Sequence, residues 1–200
     1  MLAAAGAWLL ACGARDRVIS AGFWFEKVSY GSSEAMVGRL GAPITPEELR
    51  TIEDVARGEL IRAFAPLRIR FSSDRDARYR MRVVQELRNM RAPWTPGPAA
   101  ESRSVPGLGG EGAVSFRMVV SNAVAYAADA DRSAMVIAIG KGIGRAAVHE
   151  FSHQLLGTAV IHSQDRASYE YESSARREQY YGELHWDAAW PVLQRRVGVW

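Results

Sequence analysis

The chain of 200 residues contains one cysteine, Cys12. A single thiol excludes an intramolecular disulfide framework and a zinc site built from several thiolates. A metal ion bound by this chain would therefore need imidazole and carboxylate ligands. The candidates are the four histidines of the sequence and the acidic residues near them.

Charge of one sign is not concentrated in any part of the sequence. The formal net charge is +3, but the arginines are scattered and acidic residues stand between them. Nucleic-acid-binding proteins gather basic residues into patches or runs, so we expect no nucleic-acid partner. A hydrophobic content of 48%, one composition regime and no internal repeat predict a single domain over residues 15–200.

An uncharged apolar run, MLAAAGAWLLACGA, covers residues 1–14 and is too short for a stable membrane-spanning anchor. It ends in small residues, as signal peptides do, so we expect an exported protein that is periplasmic, secreted or held at the outer surface. The sequence before Cys12 resembles a bacterial lipobox, and a lipid anchor at this cysteine is the one membrane attachment that we expect. Since no basic segment precedes the run, a buried N-terminal helix is the alternative.

Residue patterns predict three strands and one helix in the first half of the domain. Runs rich in β-branched and aromatic residues, or alternating apolar with polar residues, predict strands over 17–30, 67–71 and 79–87. Thr45-Pro46-Glu47-Glu48 is a capping box with proline at the first helical position. Apolar residues then recur at helical spacing as far as Ala65-Pro66, which predicts an amphipathic helix.

In the middle and at the end of the chain, residue patterns predict one loop, one strand and two helices. Residues 92–112 are rich in proline, glycine and serine without apolar periodicity, which predicts a long flexible loop of the kind that often has a function. A strand is predicted over 113–121, and helices over 133–156 and 186–197. Because the predicted strands and helices do not alternate regularly along the sequence, we expect an α+β fold.

The helix predicted over 133–156 contains the motif His149-Glu150-Phe151-Ser152-His153. Histidines at positions i and i+4 lie on one helix face, so both imidazoles can bind one metal ion. Glu150 follows the first histidine and would lie beside a metal-bound water without displacing it. A zinc ion would polarise a scissile carbonyl, while Glu150 would accept the proton of the water and pass it to the leaving amine.

The continuation HEFSHQLLGTAVIHSQD resembles the metzincins, and among them the matrixins, whose signature is HExxHxxGxxH followed in many members by Ser-x-Asp. Gly157, His162, Ser163 and Asp165 correspond to the later part of that signature, although the glycine stands one residue later and the third histidine three residues later. The resemblance implies a zincin-like fold, with a twisted mixed sheet and an active-site helix. It also implies that Gly157 turns the chain and that His162 is the third zinc ligand.

Other residues near the motif allow alternative assignments. Glu172 is a competing third ligand, because zincins of the thermolysin type use a glutamate about twenty residues beyond the second histidine. His185, beside Trp186, is expected to have a capping or core role. Tyr169 and Tyr171 stand where the Met-turn of the metzincins would lie, and they either pack below the metal or donate a hydrogen bond to an oxyanion.

The sequence therefore predicts a zinc metallopeptidase whose partner is a peptide or protein substrate. The predicted strand 113–121 would form the upper wall of the cleft, where an extended peptide could add as an antiparallel strand. The alternative is a non-catalytic binding or structural protein that zinc stabilises. Cleavage preference and oligomeric state have no signal in the sequence.

Overall fold

The computed structural model of the chain describes residues 18–30, 37–89, 97–105, 108–157 and 162–200. The expected signal segment and Cys12 lie outside these ranges. The strands are β1 Ile19–Phe25, β2 Ile69–Ser72, β3 Tyr79–Val84, β4 Ala100–Val105 and β5 Gly109–Ser115. The helices are α1 Val37–Leu40, α2 Pro46–Phe64, α3 Phe116–Ala125, α4 Arg132–Leu156, α5 Glu178–Tyr181 and α6 Trp190–Val197.

The five strands form one mixed sheet in the order β2-β1-β3-β5-β4. Strands β2, β1, β3 and β5 run parallel to one another, and β4 alone is antiparallel. Strand β4 lies at the edge, with Ala100 paired to Val114 and Val105 paired to Gly109. The molecule therefore has the α+β fold that the sequence predicts, with an antiparallel strand at one edge of its sheet.

Helix α2 begins with the predicted capping box. The Thr45 hydroxyl accepts a hydrogen bond from the Glu48 backbone N–H, and the Glu48 carboxylate accepts one from the Thr45 N–H. Both bonds satisfy backbone donors that have no partner inside the first helical turn. The predicted strands over 17–30, 67–71 and 79–87 correspond to β1, β2 and β3, so these predictions are confirmed.

Helix α4 packs against α2 and lies across β3, β5 and β4. Two glycines allow the helix backbones to come close together. A Cβ atom at Gly140 would be 2.7 Å from the Val55 side chain, and one at Gly144 would be 2.6 Å from the Ala56 carbonyl oxygen.

None of the helices described is long and apolar enough to span a bilayer.

The prediction of a loop over 92–112 is wrong for residues 100–105 and 109–112, which belong to β4 and β5. Strand β4 alternates half-buried and exposed residues, as an edge strand does, and contributes little apolar periodicity. Gly112 of β5 is required by close packing, since a Cβ atom there would be 2.7 Å from the Met81 side chain and the Glu101 carbonyl oxygen. Glycine and polar residues thus form strands here because they pair and pack with other parts of the chain.

The strand predicted over 113–121 is also partly wrong. Its first residues belong to β5, but the chain turns at Ser115 and continues as α3. The Ser115 hydroxyl caps this helix by accepting a hydrogen bond from the Met118 N–H. Phe116, Val119 and Val120 recur at helical spacing and are fully buried. A short apolar run fits a strand and a buried helix equally well, which explains the error.

Candidate metal centre

The two histidines of the motif lie on one face of the last turns of α4. Their Nε2 atoms are 2.9 Å apart, and their rings meet edge to face. Most residues of this helix are buried, and the helix packs against the sheet and α6. The i, i+4 spacing therefore brings two imidazole nitrogens together on a rigid part of the fold.

His162 joins the first two histidines from beyond the end of α4. Gly157 caps the helix with φ of 70°, a conformation that favours glycine, so the prediction that it ends the helix is confirmed. The connecting residues 158–161 lie outside the described ranges. The Nε2 atom of His162 is 3.4 Å from that of His153, and its ring is stacked on His149 with centroids 5.4 Å apart.

The three histidines together form a group that could hold a metal ion. One ring nitrogen from each lies within 4.8 Å of the others. In a tetrahedral zinc site with Zn–N bonds of 2.0–2.1 Å, nitrogen ligands are roughly 3.3 Å apart. The measured 2.9 and 3.4 Å lie on either side of this value. Nitrogens so close together need a proton or a cation between them, so the donor set fits a bound cation.

The protonation of the histidines also suits metal binding. The Nδ1–H of His149 donates to the Tyr169 carbonyl oxygen at 2.9 Å. This tautomer leaves the lone pair on Nε2, which faces the other histidines. Burial lowers the pKa of His149, and burial together with the neighbouring histidines lowers the pKa of His153 to about 4. Both imidazoles are therefore neutral at pH 7, which is the form that binds metals.

Glu150 lies beside the histidine cluster and is held by the edge strand. Its carboxylate is nearly buried, with 9% of the residue exposed. The Ser102 hydroxyl of β4 donates to Oε2 at 2.7 Å. Burial raises the pKa of Glu150 to about 6, while the bond from Ser102 acts in the opposite direction. At neutral pH the group is a carboxylate whose pKa is close to the value that suits a general base.

The segment that follows His162 is folded by its own polar contacts. The Ser163 hydroxyl donates to Asp187 at 2.6 Å and accepts from the Asp165 N–H. Asp165 pairs with His185 at 3.0 Å. Ser163 and Asp165 thus form a turn, and the imidazole that this turn contacts is His185. The expected core role of His185 is wrong, because its side chain is 58% exposed.

The two tyrosines of this segment have different surroundings. Tyr169 is buried and packs against Trp186, with ring centroids 5.1 Å apart, as the packing interpretation predicts. Its backbone carbonyl, rather than its phenol, contacts the cluster. The Tyr171 ring is half-buried, lies 4.7 Å from the buried Arg176 guanidinium and faces a pocket.

Arg176 fixes the backbone around Tyr169. Its buried guanidinium donates to the carbonyl oxygens of Arg166 and Ser168, and to the side chain of Gln179. These bonds hold the turn from which Tyr169 reaches His149. Sequence reasoning assigned no role to Arg176 or to Ser102, and neither belongs to a local motif that would have revealed one.

A pocket of about 440 Å³ opens beside His149 and Glu150. It is bounded by α4, by residues 98–100 at the start of β4 and by residues 163–174. Glu172 lines this pocket and is exposed. It does not belong to the group of close ligand atoms, which among the described residues has His162 as its third member.

The chain matches no protein-family model, and it has no significant match among curated proteins. The geometry of the site is therefore the basis for a functional proposal.

Proposed function

We propose that this chain is a zinc-dependent metallopeptidase with a zincin-like fold, similar to the metzincins. The observation that carries the proposal is the convergence of three imidazole nitrogens beside a buried glutamate, at a pocket next to an edge strand. Hydrolysis of peptides needs these three parts: a metal site, a base and a place for an extended substrate. The apolar start of the sequence adds the proposal that the protein is exported.

His149, His153 and His162 would hold the metal. Three histidines are a known ligand set for catalytic zinc, which keeps its fourth coordination position open for water or substrate. A structural zinc site is usually closed by four protein ligands. Within the described ranges the group has three members, which favours catalysis over the alternative of a zinc-stabilised structural protein.

Glu150 would act as the general base. Zinc bound at the three histidines supplies Lewis acidity, which polarises a carbonyl group and makes water more acidic. The Glu150 carboxylate accepts a proton from the water that attacks the peptide carbonyl, and it then delivers this proton to the leaving nitrogen as the C–N bond breaks. Ser102 would restrain the carboxylate through its hydrogen bond.

Strand β4 would bind the substrate backbone. Its outer edge presents main-chain N–H and C=O groups that β5 does not use, and Ala100 at its start also lines the pocket. An extended peptide that pairs with this edge would place a carbonyl near the histidines and a neighbouring side chain in the pocket. The cleft wall is thus assigned to β4, and not to the strand that the sequence predicted over 113–121.

Metal analysis and peptide hydrolysis test this proposal together. The protein purified with zinc present should contain about one zinc per chain and cleave members of a mixed peptide library. A chelator should remove both the metal and the activity. A fully folded protein without metal would contradict the metal site. One bound zinc without cleavage of any peptide would instead favour the structural alternative.

A further inference from the structure

We propose that the pocket beside His149 and Glu150 selects a basic side chain, lysine or arginine, next to the scissile bond, and that Glu172 is the residue that recognises it. This inference rests on the proposed peptidase function and names the substrate class of the same site. It also gives a role to a glutamate that lies outside the histidine cluster.

The lining of the pocket is polar and its charge is negative. Five lining residues are serines or glutamines: Ser163, Gln164, Ser173, Ser174 and Gln179. The aliphatic lining comes from a proline and small alanines, without leucine, isoleucine, valine or methionine among the described lining residues. The charged lining residues are Glu150 and Glu172, and both are acidic. An aliphatic side chain could contact Ala146 and the Tyr171 ring here, whereas a basic side chain would find a carboxylate as well.

Of these two carboxylates, Glu172 is the one available to a ligand. Glu150 is nearly buried, accepts a hydrogen bond from Ser102 and is the proposed base. Glu172 is exposed at the pocket and forms no ion pair within the described part of the chain. An approaching ammonium or guanidinium group could therefore pair with it without breaking an ion pair.

The arginines of the neighbouring segment do not compete for Glu172. Arg166 is paired with Glu178 at 3.2 Å. The guanidinium of Arg176 is buried and directed at the carbonyl oxygens of Arg166 and Ser168. Neither arginine lines the pocket. These two arginines are thus engaged in holding the wall of the pocket, and Glu172 has no ion pair among the described residues.

The size of the pocket suits a long basic side chain. A volume of about 440 Å³ lies within the range of pockets that bind small ligands. Lysine and arginine bury their apolar stems and keep the charged end near polar groups. The stem would lie against Ala146 and the Tyr171 ring, which line the pocket together with Glu172.

Two sets of measurements test the inference. In the first, kcat/KM is measured for peptides that differ at one position beside the scissile bond, scanned on both sides, with lysine, norleucine or glutamate. The zinc-loaded wild type should prefer lysine over norleucine about tenfold, and glutamate should be poorest. Glu172→Gln should reduce the preference to within about twofold. Glu111→Gln is the matched control, since its carboxylate lies outside this pocket, and should keep it.

In the second set, calorimetry measures how tightly the lysine and norleucine peptides bind to the metal-free protein. The wild type should bind the lysine peptide more tightly, and Glu172→Gln should bind both alike. If no peptide is cleaved but this binding preference is present, the peptidase proposal fails and the pocket assignment stands. Equal binding of the two peptides by the wild type, or a lysine preference that survives Glu172→Gln, overturns the inference.

Discussion

The floor and the rim of the candidate site are built in different ways. The floor is the end of α4, which carries His149, Glu150 and His153 at positions that the helix period dictates. His162, beyond the helix, completes the group of metal ligands and is counted with the floor. The rim consists of β4 and residues 163–174, which are held by polar contacts between distant parts of the chain. Ser102 and Glu150 are 48 residues apart, and His149 and Tyr169 are 20 residues apart.

Because they are built differently, the floor and the rim should have different roles in the site. In the proposed peptidase the floor would supply the reactive groups on a helix that packs closely against α2. The rim orients these groups: Ser102 holds the carboxylate and the Tyr169 carbonyl sets the tautomer of His149. Changes in the floor should therefore abolish activity or destabilise the fold, while changes in the rim should adjust rate, pH dependence and selectivity.

The largest effect is expected at the floor, for Glu150→Gln. The amide keeps the shape of the carboxylate but cannot accept the proton, so kcat should fall by about 10²–10⁴-fold while zinc stays bound. The fall in kcat is measured on a peptide that the wild type cleaves. The zinc content is measured for both proteins. Full activity in the variant would show that Glu150 is not the base.

The packing beneath the floor is tested by Gly144→Ala. The added methyl group would meet the Ala56 carbonyl oxygen and the Glu59 side chain, both at 2.6 Å. Such overpacking should lower the free energy of unfolding by about 1–3 kcal/mol. Gly58→Ala in α2 is the control, because no atom lies within 4 Å of its Cβ position, and it should stabilise the protein by up to about 1 kcal/mol.

Urea denaturation of both glycine variants, with zinc present, provides the measurement. If Gly144→Ala is as stable as the wild type, α2 and α4 are not packed as closely as described.

A smaller effect is expected at the rim, for Ser102→Ala. Hydrogen bonds to charged groups contribute about 1.5–3 kcal/mol, and a part of this should appear as a fall in kcat/KM of about tenfold. The bond from Ser102 lowers the pKa of Glu150, so its loss should raise that pKa. The variant base is then protonated at a higher pH, and the acid limb of the pH–rate profile should move upward.

Ser104→Ala removes the same hydroxyl two residues farther along β4 and should leave the profile of the wild type unchanged. An acid limb that does not move in Ser102→Ala, with zinc still bound, would mean that the serine does not act on Glu150.

The floor could be predicted from the sequence because its order is local. The helix expected over 133–156 is observed from Arg132 to Leu156, and the predicted capping box of α2 is present. Helix period and backbone capping act between residues three or four positions apart, so a single sequence displays them. His162 lies beyond the helix, and its prediction as a ligand came from a family resemblance instead.

The structure of the rim could not be predicted because it depends on contacts between residues that are far apart in the sequence. Residues 100–105 have the composition of a loop and form a strand only because β5 lies beside them. The Tyr169 carbonyl is a main-chain group, so the residue type at this position does not indicate that it contacts His149. The same holds for Ser102, since serine is common and its partner lies on a helix far along the chain.

The membership of His162 in the metal site, with Glu172 outside it, is tested most directly by zinc affinity. Competition with a chelator at one pH should be measured for the alanine variants of His149, His162, Glu172 and His185. His162→Ala should lose zinc affinity at least as strongly as His149→Ala, because both nitrogens belong to the same cluster. Glu172→Ala and His185→Ala should bind zinc like the wild type. Wild-type affinity in His162→Ala, together with a loss in Glu172→Ala, would contradict the three-histidine centre.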